Sequence, residues 1–144
     1  MGCYAMNRGV INHRERAKQI RDFSGLRFGN ITPTDIDALI EYKDKAYVII
    51  EYKFGEAEVP TGQMIALERI CDDLQNFKHT ILIIARHNQP VEQDIDGANA
   101  IVEKYRWRKK WIVIKNITQE AWKVKKLIDW FLNTNEVINS KGEK

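Results

Sequence analysis

Two stretches of the chain, 34–42 and 46–53, alternate apolar and polar residues with the period of a strand, so side chains two apart share a face. In the first, Ile36, Ala38, Ile40 and Tyr42 fall on one face, and Asp35, Asp37, Leu39 and Glu41 on the other. In the second, Val48, Ile50 and Tyr52 oppose Tyr47, Ile49, Glu51 and Lys53. Elsewhere the period lengthens. Residues 12–23, NHRERAKQIRDF, predict a helix with Asn12 as N-cap, Glu15 completing a capping box, and Ala17, Ile20 and Phe23 as its apolar stripe. Residues 25–32 read as a Gly-punctuated connection or a short strand. Pro60-Thr61-Gly62 opens a helix to about Phe77, with Met64, Leu67, Ile70, Cys71 and Leu74 on one face. The continuous run TILIIA at 80–85 predicts a central strand buried on both faces, and 86–98 is a polar loop. Strands follow at 100–107 and 111–115 around Arg108-Lys109-Lys110, and Thr118 caps a last helix to about Leu132. Trp122, Leu127, Ile128 and Phe131 face inward on it. The expected fold is mixed α/β, a single domain over residues 1–144.

The charges of the hairpin are the anomaly. A three-residue loop, Lys43-Asp44-Lys45, pairs Tyr42 with Ala46 and keeps both apolar faces together, whereas a two-residue loop shifts the register and flips one strand. That register sets Asp37 opposite Glu51, and Asp35 opposite Lys53. Facing residues have Cβ atoms roughly 4.5–5.5 Å apart, so two carboxylates there repel unless a positive charge sits between them. A hard divalent cation, Mg²⁺ or Mn²⁺, resolves this with the carboxylates of Asp37 and Glu51 and the backbone carbonyl of Tyr52. Lys53, one step along the same face, can hold a metal-bound water or steady charge on a phosphate. The bland alternative is an ordinary Asp35–Lys53 ion pair on a solvated face.

Composition narrows the class. Hydrophobic residues make up 44% and charged residues 30% of the chain, which suits a globular domain. No apolar run reaches the roughly 18 residues of a membrane span, so no membrane association is expected. MGCYAMNRGV lacks the apolar stretch of a signal peptide, and two cysteines, Cys3 and Cys71, are too few for a disulfide framework. A cytoplasmic setting is expected. The net charge is only +3, but it is unevenly spread. Residues 104–126 hold nine Lys or Arg against one acid, while 51–76 hold six acids against two bases. The interleaved KYRWRKKW at 104–111 makes Lys104, Arg106, Arg108, Lys109 and Lys110 candidates for phosphate contact. Tyr105 and Trp107 read either as core or as stacking platforms for bases. Arg14, Arg16, Lys18 and Arg21 form a second basic cluster, with Arg14 and Arg21 on one face.

Pro33-Thr34-Asp35-Ile36-Asp37, followed by Glu51-Tyr52-Lys53 fourteen residues after Asp37, resembles the PD-(D/E)XK nuclease superfamily, most of all its small stand-alone phage members. The element order is similar to that of archaeal Holliday-junction resolvases. The likeness covers roughly residues 12–86. It implies a restriction-endonuclease-like core of helix, three strands, helix and strand, here with C-terminal strands and helix. It implies Mg²⁺- or Mn²⁺-dependent endonucleolytic hydrolysis of phosphodiester bonds, with DNA as the expected substrate and RNA as the alternative, in a bacterial or phage-infected cell. By this resemblance Asp37 and Glu51 bind metal and Lys53 positions water. Glu15 on the first helix orients the metal, and Gln63 on the helix after the Lys strand contacts water or phosphate. The tyrosine that follows this glutamine in some relatives is replaced by Leu67. A nuclease of low sequence specificity is expected. The alternatives are a junction resolvase acting as a homodimer, an inactive nucleic-acid-binding module, and a plain interaction domain.

Overall fold

A computed structural model describes residues 6–7, 9–114 and 122–135. Where one domain is expected from length, the chain forms two compact units, Met1–Thr34 and Asp35–Lys144.

The first unit contains a two-stranded ladder, β1 (Met6–Asn7) and β2 (Val10–Ile11), and one turn of helix, α1 (Arg14–Ala17). The helix expected over 12–23 is therefore cut to four residues. His13, not Asn12, takes the N-cap position, and no side chain caps it. The reason is energetic. A helix of that length is marginal unless it buries an apolar face, and Ile20 is 74% exposed here. The possible strand at 25–32 reduces to a turn at Ser24–Leu26 and an isolated bridge between Phe28 and Ile31. Gly29, at φ 65°, allows that tight reversal.

The second unit is a five-stranded sheet in the order β3 (Ala38–Tyr42), β4 (Ala46–Phe54), β5 (His79–His87), β6 (Ile101–Trp107), β7 (Lys110–Val113). Only β4 and β5 run parallel, so their connection must cross the sheet, and α2 (Thr61–Gln75) makes that crossing. The hairpin has the expected register, Tyr42 opposite Ala46 and Ala38 opposite Ile50. Its loop is set by a turn in which Lys43 and Asp44 have φ of 49° and 61° and Lys45 N–H donates to Tyr42 O at 2.8 Å. The β6–β7 loop is one residue shorter than expected. Trp107 pairs with Lys110, and Arg108 and Lys109 take φ of 51° and 65°, as a two-residue hairpin turn requires.

Helices cover both faces, the architecture of an α/β layer fold. On one face Val48, Ile50, Ile81 and Ile83 pack with α3 (Val124–Thr134). Val124, Leu127, Ile128, Phe131 and Leu132 form a buried stripe along α3 with helical spacing. Thr118, the expected cap, lies outside the described residues. Trp122 precedes α3 and packs, half-buried, against the same cluster. On the other face Ile49, Leu82 and Ile84 meet Leu67 and Cys71 of α2. The expected central strand, β5, is buried from Thr80 to Ala85. No helix among the described residues is long and apolar enough to cross a membrane.

Candidate active site

β3 begins at Ala38, so Asp35 and Asp37 stand just ahead of it. Asp is a poor strand residue, and here both carboxylates do other work. Asp37 Oδ2 accepts the backbone N–H of Tyr52 at 2.8 Å. The acid thus closes the ladder one step beyond its last pair and holds its carboxyl at the end of β4. In an antiparallel pair the N–H and C=O of a residue point to the same edge, so the Tyr52 carbonyl lies on the Asp37 side too. The Tyr52 ring turns to the opposite face. Its hydroxyl donates to Gly97 O at 3.0 Å, and a Cβ on Gly97 would come within 2.7 Å of the Tyr52 hydroxyl oxygen, so a larger residue there would have to displace the ring. Burial pushes the Tyr52 phenol up to about 12, with the charges of Asp37 and Asp96 adding to the rise.

Glu51 and Lys53 fall on the α2 face of β4, because that face is set by Ile49. Glu51 is only 2% exposed. Lys53 Nζ lies 3.0 Å from Glu51 Oε2, and Gln63, in the first turn of α2, donates Nε2 to the same oxygen at 3.0 Å. Gln63 also donates to the carbonyl and a carboxylate oxygen of Asp35, at 3.3 and 3.4 Å. Its own Oε1 accepts from Lys53 at 3.5 Å. Gln63 is thus a buried clasp joining the segment before β3 to the end of β4. Asp35 meets Gln63; no Asp35–Lys53 pair forms.

The other Glu51 oxygen, Oε1, is buried with no hydrogen-bond partner. Two more buried side-chain atoms among the described residues share that state, Trp107 Nε1 and Asn135 Oδ1, but neither belongs to an acid. Burial pushes the Glu51 carboxyl above its ordinary range. The Lys53 hydrogen bond pulls it back, and the charges of Asp37 and Asp35 push it up again. Such a site favours an added positive charge. The donor set is two carboxylates of the hairpin, one with an unsatisfied oxygen, and a strand-end carbonyl. That fits a hard divalent cation, which commonly takes one or two carboxylates and completes its shell with water and phosphate. Among the described residues no three His, Cys, Asp or Glu side chains converge as a ready-made ligand cage.

The remaining expected residues are dispersed. Glu15, Arg14 and Arg21 belong to the first unit. Lys104 and Arg106 lie on the α2 face of β6, engaged from within the fold. Arg106 makes a two-pronged pair with Asp72 of α2, both bonds 2.8 Å. Lys104 Nζ sits 4.6 Å over the Trp111 ring. Trp111 Nε1 in turn donates to Glu68 Oε2 at 2.9 Å. Glu68 and Asp72 were not singled out from the sequence. The available signal is their four-residue spacing, which puts two acids on one helix face opposite a basic strand. Tyr105 and Trp107 pack edge-on against Trp130 of α3, at 6.0 and 5.2 Å between ring centres, so both aromatics serve the core. Arg108 and Lys109 form the exposed tip of the β6–β7 hairpin, and Lys110 opens β7. His87 ends β5 and stacks edge-on with Phe54 at 5.8 Å.

Comparison with family models, curated proteins and solved structures returns no match for this chain.

Proposed function

We propose that the cluster at the end of β4 hydrolyses phosphodiester bonds in nucleic acid, with Asp37, Glu51 and the Tyr52 carbonyl holding Mg²⁺ or Mn²⁺. The observation that carries this reading is the buried Glu51 carboxylate with one oxygen unpartnered, placed among Asp37, Lys53 and Gln63. A buried acid left half-satisfied costs stability, and a site that keeps one is a candidate for chemistry. The element order supports a restriction-endonuclease-like core: hairpin, α2, then the parallel strand β5. Two strands, not three, precede α2 in the sheet. DNA or RNA is the substrate on this reading, and the cytoplasm the place of action.

Each residue has a distinct task. Asp37 fixes the end of the hairpin through Tyr52 N–H. Gln63 holds Glu51 and Lys53 in one geometry, so neither must reorganise during reaction. Lys53 is a cation held 3.0 Å from Glu51 Oε2, beside the place a metal-bound phosphate would take. It orients the attacking water and steadies negative charge as the phosphate becomes five-coordinate. A bound divalent cation would add charge neutralisation and make that water a better nucleophile.

The test is a cleavage assay on plasmid, linear duplex, single-stranded DNA and RNA, with Mg²⁺, Mn²⁺ or EDTA, comparing wild type with Glu51→Gln. Metal-dependent products absent from the variant support the reading. Products formed at the same rate by Glu51→Gln sink it.

A further inference from the structure

The two ends of the sheet differ in charge. The end that carries Glu51 also carries the acids Asp35, Asp37, Glu56, Glu58 and Glu103 against the bases Lys53 and Arg86. At the opposite end three segments meet: the β3–β4 loop, the C-terminus of α2 and the β6–β7 tip. They are physically joined. Lys78 pairs with Asp44, and Lys109 Nζ donates to Asn76 Oδ1 at 2.9 Å. A shallow hollow between the β3–β4 loop and the end of α2 is lined by Asp44, Lys45, Asn76, Phe77, Lys78 and His79. Segments 42–45, 75–79 and 107–110 together contain six bases and one acid, Asp44. The carboxyl end of α2 favours cations here. Phe77, which lines the hollow, is 83% exposed. Its open ring stands beside these bases, where an unpaired base could stack on it.

We propose that this basic end is a second nucleic-acid contact, in which Lys43, Lys110 and their neighbours bind backbone phosphates and Phe77 stacks on a base. The proposal rests on the nuclease reading for its purpose and on the geometry above for its place. From Lys45 to Lys53 is eight residues along β4, about 26 Å at the usual strand rise. At one phosphate per roughly 3.4 Å on each strand, that spans about eight nucleotides. The surface therefore anchors substrate well away from the bond that breaks. It favours polymers over short oligonucleotides, with no base-reading contact needed.

The test separates anchoring from catalysis by measuring binding in EDTA. Each phosphate contact contributes about 0.9 to the salt slope on duplex DNA and about 0.7 on single strands. Lys43→Ser with Lys110→Ser is expected to lower the duplex slope by about 1.8 and weaken binding at low salt at least tenfold. Lys43→Arg with Lys110→Arg should restore both. Phe77→Ser should weaken single-strand binding at least fivefold and leave the slope alone. With Mg²⁺ present, the serine pair should raise KM on long DNA and leave kcat unchanged. A slope identical to wild type in the serine pair overturns the proposal. So does binding to phosphatidylserine vesicles with none to nucleic acid, which would assign the surface to membranes. A normal slope loss without any cleavage supports this surface and overturns the catalytic reading instead.

Discussion

Helix α2 meets charged strands at two places on the same face of the sheet, and they are finished differently. Near its middle, Glu68 and Asp72 receive Trp111 and Arg106, and every charged group there has a partner. At its first turn, Gln63 donates to Glu51 Oε2 and accepts from Lys53, but Glu51 Oε1 is left with nothing. Both clusters are buried enough for pairing to matter. The first is what a fold does with charges it must cover. The second keeps a carboxylate with one oxygen, Oε1, that no contact among the described residues satisfies. The difference separates charges that hold the sheet to the helix from charges held ready for something else, and the two places should respond oppositely to substitution.

The largest effect should come from Lys53→Met. If the cluster hydrolyses phosphodiesters as proposed, this removes a preorganised charge at the reacting phosphate, so cleavage should fall by about 10²–10³-fold or more, while circular dichroism stays that of the wild type. Asp72→Ala should do the reverse. It leaves Arg106 without its two-pronged partner at a side chain 15% exposed, and should cost about 2 kcal/mol in denaturant unfolding. Activity at permissive temperature should be kept. Equal loss of activity in both variants would erase the distinction between the two clusters.

A smaller effect concerns pH. The Glu51 carboxyl is raised in the folded chain, chiefly by burial. A raised acid contributes stability that is fully present below its unfolded value, about 4.3, and lost as pH climbs through the folded value. In EDTA, then, the melting temperature of the wild type relative to Glu51→Gln should fall as pH rises from about 4.3. Glu51→Gln should lack that component and melt higher at neutral pH. Melting curves at a series of pH values decide this, and a Glu51→Gln protein that melts lower at every pH contradicts it. Smallest of all is Cys71, whose thiol burial pushes up to about 12. In a Cys3→Ser background the native chain should resist thiol reagents at pH 8, and rapid labelling would show that this face opens.

The hairpin was legible because two local signals agree. Alternation fixes which residues share a face, and an odd loop fixes how the strands slide, so Asp37, Glu51 and Lys53 could be grouped from sequence. Gln63 was reached only through the family resemblance, since a polar residue in the first turn of a helix is by itself unremarkable. What stayed hidden depends on distant partners. The stripe of Ala17, Ile20 and Phe23 has helical spacing, but a helix there needs a surface to bury it, and spacing cannot supply one. Arg106 looked like a phosphate ligand because its strand neighbours are basic and aromatic. Its real neighbour, Asp72, is 34 residues away. The exposed Phe77 escaped notice because it merely ends an amphipathic helix. Only the fold sets it among the lysines of two hairpins.

The claim that Glu51 is kept for a divalent cation is tested most directly by calorimetric titration of Mn²⁺ into wild type, Glu51→Gln and Asp72→Ala. The account predicts saturable binding to wild type and Asp72→Ala, and none to Glu51→Gln. Binding to Glu51→Gln with wild-type affinity would contradict it.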